Sequence, residues 1–377
     1  MNSYLTAEIS ASAVAANIAF VRGRLRGGAK LCAVVKADGL GHGVELLWPT
    51  IAGGADMLAV ATPAEAAGLR DLGYGGPLLQ FLPPCAYADA AQRQEALEDL
   101  ICRRVILTLA SEEEVAPVAE AARRAGAPAE VHVKIDSGMG RAGALPEAAL
   151  RLIEKVRAAE GVRLTGLYTH FATADDPDPA DVLEQLRRFR AVVDAVPGRG
   201  ELAIHAANSA ATLAIPESHL DMVRCGVALV GYQLEYDSLE GREPLRPSMR
   251  LWAPLMQVKA LPAGAGVGYG LTHTLKRPSV VGLVPIGYAD GYMRCLSNRA
   301  AMRVRGRDAP VLGRVSMDQT SIDLTLVPGA RVGEALEIIS PDPAAACSLE
   351  NLSRLACTIP QEIACRLAGR VCRVLVE

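Results

Sequence analysis

"AVVKADGLGHG", residues 33–43, joins an apolar run to a single lysine and then to a string of glycines. Uninterrupted hydrophobicity of this kind marks a strand covered on both faces, as in a parallel sheet. Lys36 stands where that strand ends, and glycines 39, 41 and 43 open turns that side chains resist. Runs of the same texture recur as "DMLAVAT", "PLLQFL", "RVILTLA", "EVHVKID", "LTGLYTH", "ELAIHAANS" and "VRCGVALVG". Between them lie "TPAEAAGLRDLG", "SEEEVAPVAEAARRAG" and "DPADVLEQLRRFRAVVDAV", which carry Ala, Leu, Glu and Arg at helical spacing behind Ser, Thr or Asp caps. Eight strand–helix units in about 230 residues predict an α/β fold, a (β/α)8 TIM-type barrel. An open doubly wound sheet ranks second, because no GxGxxG turn accompanies the strands.

Past residue 240 the helical patterns give way to "SMRLWAPLMQVKAL", "SVVGLVPIGYADGY", "AMRVRG", "APVLGRVSMDQTSIDLT" and "GEALEIIS". Short strands with Gly and Pro turns predict a mainly β C-terminal domain. The expected division is a barrel over 1–240 and a β-rich domain over 241–377, in keeping with a 377-residue chain that is 50% hydrophobic. Net charge is −3 without a basic stripe, so nucleic acid and anionic membrane are not expected partners. "MNSYLTAEIS" has no signal-peptide pattern and no stretch has the length of a membrane span, which predicts a cytoplasmic protein. Nine cysteines without CxxC spacing, mostly within apolar runs, read as buried free thiols and give no metal site.

Barrel enzymes gather their chemistry at the C-terminal ends of the strands. There the chain delivers Lys36, then Lys134 and Asp136 with Arg141 beyond, then His170, then Asn208 and Ser209, while Arg224 opens the eighth run with Gly226 following. Each has an ordinary structural reading: a rim ion pair for the lysines and arginines, a satisfied core position for His170, a helix cap for Asn208 and Ser209. Their convergence on one mouth suits an anionic ligand, and the loops after strands seven and eight are the usual phosphate seat.

At these residues the chain resembles the alanine racemases, the barrel-type (fold III) pyridoxal phosphate enzymes. The likeness runs through "AVVKADGLGHG", "VHVKIDSGMGRAG", "LYTHFATADD", "HAANSAATL", "MVRCGVALVGY", "VGYGLTHT", "PIGYADGY" and "LGRVSMDQTSIDL", in the family's order. It implies interconversion of L- and D-alanine, supplying D-alanine for peptidoglycan. Lys36 would hold pyridoxal 5'-phosphate as a Schiff base and serve the D face of the substrate carbon, with Tyr269 serving the L face. His170, near Arg224, would help Tyr269 act as a base, since a free phenol has a pKa near 10. Arg224 would face the cofactor's ring nitrogen and, always protonated, leave that nitrogen bare. Ser209, Gly226 and Val227 match phosphate-binding positions, with Asn208 beside them. Arg141 and the Met317 backbone match the substrate-carboxylate site. Lys134 matches a lysine carbamylated in many members, a Lys134–Asp ion pair being the alternative. Tyr288 and Asp318 would line a shared entrance in a head-to-tail homodimer whose sites each borrow the partner's Tyr269.

Five residues depart from the family pattern. Asp38-Gly39-Leu40 stands where Asn-Ala-Tyr is usual, Gly369 where a tyrosine narrows the site, and Cys372 where a proline is usual. Two hydroxyls that would reach the cofactor phosphate are thereby missing, each worth about 1 kcal/mol or somewhat more. Weaker cofactor retention and a roomier pocket follow. Serine or a broader range of amino acids is the alternative substrate, and a catalytically silent pyridoxal phosphate-binding relative is the alternative to an enzyme.

Overall fold

Strands covered on both faces need helices outside and side chains within, and the chain supplies both. The structure, a computed structural model, describes residues 4–86, 89–232 and 245–377. After β1 (Thr6–Ser10) come β2 (Lys30–Val34), β3 (Met57–Val60), β4 (Leu78–Gln80), β5 (Leu107–Leu109), β6 (Ala129–Lys134), β7 (Val162–Tyr168), β8 (Ala203–His205) and β9 (Met222–Cys225). β2 to β9 form one parallel sheet in the order β4-β3-β2-β9-β8-β7-β6-β5. Its ends meet at a bridge between Leu79 and Ile106, where Ile106 N donates to Leu78 O at 2.8 Å and Gln80 N to Ile106 O at 2.9 Å. The eight expected runs are the eight barrel strands.

The helices follow their sequence cues. Thr62 caps Pro63–Asp71 in a capping box with Glu65, and Ser111 does the same with Glu114 ahead of Val115–Ala125, which Gly126 ends at φ +63°. Helix Ala180–Asp194 buries Val182, Gln185, Leu186, Phe189, Val192 and Val193, a stripe three and four residues apart that seals one side of the barrel.

The second sheet contains β10 (Met249–Pro254), β11 (Gln257–Leu261), β14 (Ser279–Val284), β15 (Ala301–Val304), β16 (Arg307–Leu312), β17 (Thr320–Asp323), β18 (Ala335–Ile339) and β19 (Cys372–Val376). A small ribbon of β12 (Gly266–Val267) and β13 (His273–Thr274) stands apart. The large sheet has nine strands, ordered β11-β14-β17-β16-β15-β18-β10-β1-β19. β1 is its ninth member: it runs antiparallel to β10 and parallel to β19, so the first strand of the chain serves the β-rich sheet and not the barrel. The 240/241 division falls outside the described residues.

The thiols corrected one expectation. Among the described residues Cys32, Cys225 and Cys347 are buried, but Cys102, Cys295, Cys357 and Cys365 are exposed. The last two lie at helix ends, where apolar neighbours in sequence do not share a buried face.

Ile9, wholly buried, lies opposite Met249 and Leu375, and Trp252 on the same sheet donates to Glu8 at 3.0 Å. Ile9→Ala is therefore expected to lower stability by about 2–5 kcal/mol. Urea denaturation followed by Trp252 emission checks this; a loss below about 1 kcal/mol would place β1 outside the cooperative core.

Candidate active site

Lys36 follows the end of β2 and is exposed at the barrel mouth. The chain then turns left-handed: Ala37, Asp38, Gly39, Leu40 and Gly41 all have positive φ, at 53°, 55°, 62°, 57° and 83°. For the three that are not glycine this conformation costs roughly 1–2 kcal/mol each. Tertiary contacts hold it. Ala37 N donates to Glu65 Oε1 at 2.7 Å, so the carboxylate that caps helix Pro63–Asp71 also pins the lysine turn. Asp38 Oδ1 accepts from Val44 N at 2.8 Å. Gly41 is required for its positive φ, as expected, and for a second reason: a Cβ there would fall 2.1 Å from Ala364 O, where its backbone approaches the second domain.

Beneath the turn His42 is fully buried. Its Nδ1 donates to Leu40 O at 2.9 Å, which makes Nε2 the acceptor of the Tyr232 hydroxyl at 2.8 Å. Burial pushes this histidine down to about 4.

At the end of β6, Asp136 takes four backbone N–H groups, from Gly138, Met139, Gly140 and Arg141, at 2.8–3.2 Å. Burial alone would raise this carboxyl, yet those donors hold it below its ordinary value. The result is a rigid loop carrying Arg141. Asp136 is fully occupied in this way, and no carboxylate lies within ion-pair distance of Lys134 among the described residues. The Lys134–Asp pair does not form. The amine instead lies 5.8 Å above the Tyr168 ring, and burial, followed by the charges of Arg141 and Arg224, lowers it to about 8.

Arg224, at the end of β9, is 3% exposed and likewise has no carboxylate partner among the described residues. Its Nη1 donates to His205 Nδ1 at 3.0 Å, and its Nη2 to Thr169 O at 2.7 Å, Ala206 O at 2.9 Å and His170 Nδ1 at 3.2 Å. Burial lowers its pKa, but an arginine starts high enough to stay protonated at neutral pH. His170 is pushed down to about 2 by burial and then by Arg224, Arg141, Lys134 and Lys36. It is neutral, with Nδ1 accepting and the hydrogen on Nε2.

Asn208 caps helix Ser209–Ala214 by accepting from Ala211 N at 2.9 Å. Ser209 Oγ accepts from Gly226 N at 3.1 Å and Ala228 N at 3.4 Å, drawing the loop through Val227 against that helix start. Leu40 borders this corner: its Cδ1 is 3.4 Å from where a Gly226 Cβ would stand. An apolar wall thus replaces a hydroxyl.

Four further residues stand on the second domain. Tyr269 sits between Gly268 and Gly270, both at positive φ, and is 70% exposed. Tyr288 and Met317 are also exposed and adjoin through Ala289 N, which donates to Met317 O at 3.0 Å. Asp318 pairs with Arg370 at 2.5 Å. No hydrogen bond or ring contact links Tyr269 to the barrel-mouth groups among the described residues.

Sequence reasoning missed two histidines. His205 Nε2 and His132 Nδ1 are 2.9 Å apart behind Arg224, with His205 stacked on Tyr168 at 4.9 Å. Tyr168 donates to Thr108 Oγ1 at 2.9 Å, whose own hydrogen goes to Gln80 O. Gly166 makes room, since a Cβ there would fall 2.6 Å from His132. The available signal was a histidine two positions before Lys134, on the same face of the strand as that lysine. No cluster of His, Cys, Asp or Glu suited to a metal ion occurs among the described residues.

Family models described as the alanine racemase N-terminal domain and the alanine racemase C-terminal domain match residues 9–234 and 248–375. A curated relative named alanine racemase, from Desulfovibrio desulfuricans, is 41% identical over 98% of each chain, and one from Desulfosudis oleivorans is 36% identical over 98% of this chain and 95% of its own. Among solved structures, alanine racemase of Clostridium difficile 630 superposes with a TM-score of 0.92 at 33% identity, covering 100% of this chain and 97% of that one. Alanine racemase from Streptomyces coelicolor A3(2) gives 0.89 at 37% identity, covering 99% and 98%.

The buried histidines set an acid limit on stability. A histidine held neutral binds fewer protons folded than unfolded, so its contribution is complete above the unfolded pKa of 6.5 and is lost as pH falls toward the folded value. From about pH 7.5 to pH 5, His42 and His132, pushed down to about 4 and about 3, should each withdraw about 2 kcal/mol. His42→Gln should remove its share from the pH dependence measured by urea denaturation. An unchanged pH dependence would mean that the imidazole charges without penalty.

Proposed function

The chain belongs to the alanine racemase family, and on that footing we propose that it interconverts L- and D-alanine with pyridoxal 5'-phosphate, supplying D-alanine for peptidoglycan. The observation that carries this is the charge at the barrel mouth. Lys36, Lys134, Arg141 and Arg224 have no carboxylate within ion-pair distance among the described residues, and His170 beside them is neutral. Two of them, Lys134 and Arg224, are buried, and buried cations without counter-ions call for an anionic ligand. A phosphorylated pyridine and an amino-acid carboxylate match that need, so the residues fit the cofactor.

When bound, pyridoxal phosphate supplies an electron sink that makes the substrate's α-proton acidic. The protein's own groups do the rest. Lys36 would hold the cofactor and move the proton on the D face. Ser209, Gly226 and Val227 would receive the phosphate, with Asn208 fixing the helix start. Arg224, already donating to His170, would donate to the ring nitrogen and, never losing its proton, leave that atom unprotonated. Arg141 and the Met317 N–H would bind the substrate carboxylate. Lys134, lowered to about 8, spends part of its time as the free amine that reacts with carbon dioxide, and its carbamate would supply the missing negative charge beside Arg141.

Tyr269 would work on the L face from the other subunit of a homodimer. His170, with its hydrogen on Nε2, would donate to the phenol oxygen and favour its ionised form. Support for association comes from the exposure of Tyr269, Leu271, Tyr288 and Met317 along one stretch of the second domain, with Asp318 at its edge. No helix among the described residues is long and apolar enough to cross a membrane, and a cytoplasmic location is part of the proposal. The relatives and structures above carry the alanine name, so the broader-substrate alternative is not pursued, although a Cβ at Gly369 would meet nothing within 4 Å.

Incubation with pyridoxal phosphate and single L-amino acids in D₂O tests the reading: L-alanine loses its α-proton and D-alanine accumulates. Exchange confined to another amino acid, or none, contradicts it. Tyr269→Phe should slow turnover by about 10²–10⁴. Lys36→Ala and Tyr269→Phe, each inactive, should regain about one quarter of wild-type activity when mixed and allowed to exchange subunits, because each mixed dimer rebuilds one intact site. No recovery would mean that both groups come from one chain. Leu40→Tyr, restoring a hydroxyl beside Gly226, should tighten cofactor retention by about five- to tenfold in equilibrium dialysis; unchanged retention would show that this corner does not meet the phosphate.

A further inference from the structure

The turn that carries Lys36 is held from the second domain as well as from the barrel. Arg373, on β19, donates from Nε to Gly41 O at 2.8 Å, from Nη2 to Leu367 O at 3.0 Å and from Nη1 to Val371 O at 3.3 Å. Its Nε is also 3.9 Å from Asp38 Oδ2, and its side chain is only 14% exposed. The guanidinium therefore joins the left-handed turn to the end of helix Pro360–Arg366 and to its own strand in one fork. Gly41 lies backbone to backbone on Ala364, and a Gly43 Cβ would be 3.1 Å from the Arg373 side chain.

Positive φ at Ala37, Asp38 and Leu40 persists only where surrounding contacts over-determine it. Glu65 and the Asp38–Val44 cap supply the barrel's share of those contacts. Only Arg373 grips the turn by a side chain from the second domain among the described hydrogen bonds. Asp38, whose charge faces that guanidinium, is one of the residues at which this chain departs from the family pattern.

We propose that Arg373, assisted by Asp38, is a positioning residue for Lys36: it locks the turn and so fixes where the amine stands when it moves a proton. The inference rests on the reading of Lys36 as the D-face base, but its first test does not. In the full-length protein, Arg373→Met should speed amide hydrogen exchange at Gly39, Gly41 and Gly43 by about tenfold while leaving β6 and β7 unchanged, and Arg373→Lys should restore part of the protection. Asp38→Asn keeps the cap to Val44 and removes the charge, so it should give a smaller rise in the same direction without threatening the fold.

With the cofactor bound, the α-deuterium isotope effect on D-alanine should rise in Arg373→Met, while that on L-alanine, where Tyr269 takes the proton, should not. A general structural lesion would change both alike. Unchanged exchange at the turn in Arg373→Met and Asp38→Asn overturns the clamp. Faster exchange with equal isotope effects on both isomers overturns its link to Lys36. If the wild type exchanges no α-proton at all, the functional reading fails and the amide data still decide the clamp.

Discussion

Uncompensated positive charge at the barrel mouth governs this protein. Arg224 is removed from water with no carboxylate among the described residues to receive it, a burial that costs several kcal/mol for an isolated ion. The fold offsets this with dipoles: two carbonyls and two neutral imidazoles take its hydrogens. Those histidines are neutral first because they are buried, and the arginine's charge adds to this. Burial and Arg224 hold His205 well below its ordinary value, and His170 falls to about 2. Charge and neutrality are thus one arrangement, and an anion is the component that completes it.

The same economy explains Asp136. By accepting four N–H groups its carboxylate stiffens the Arg141 loop without forming an ion pair with a neighbouring cation among the described residues. Lys134, over the Tyr168 ring and without an ion-pair partner among the described residues, has its pKa lowered by burial and by the neighbouring cations.

Much of this was legible in the sequence. Eight continuous apolar runs specified the barrel because strands covered on both faces leave no alternation, and the polar residues at their ends had nowhere to go but the mouth. Lys134 and His170 were visible for that reason, whereas Arg224, expected to open the eighth strand, lies near its end. His132 and His205 were not, since they point inward from within strands and resemble core positions until their partners across the barrel are known. β1 was not singled out because pairing between the two ends of a chain leaves no local trace. The glycines of the lysine turn were read correctly as freedom of backbone, but what Gly41 makes room for is Ala364, a contact that only the second domain's position reveals.

On the proposed reading the two domains would meet the chemistry twice, once by clamping the lysine turn within a chain and once by presenting Tyr269 to another subunit. The most direct measurement is a crystal structure of the protein loaded with pyridoxal phosphate. It should show Lys36 Nζ and the partner's Tyr269 hydroxyl on opposite faces of the cofactor, with His170 donating to that hydroxyl. A structure with cofactor at Lys36 and every Tyr269 facing solvent would contradict the two-base account.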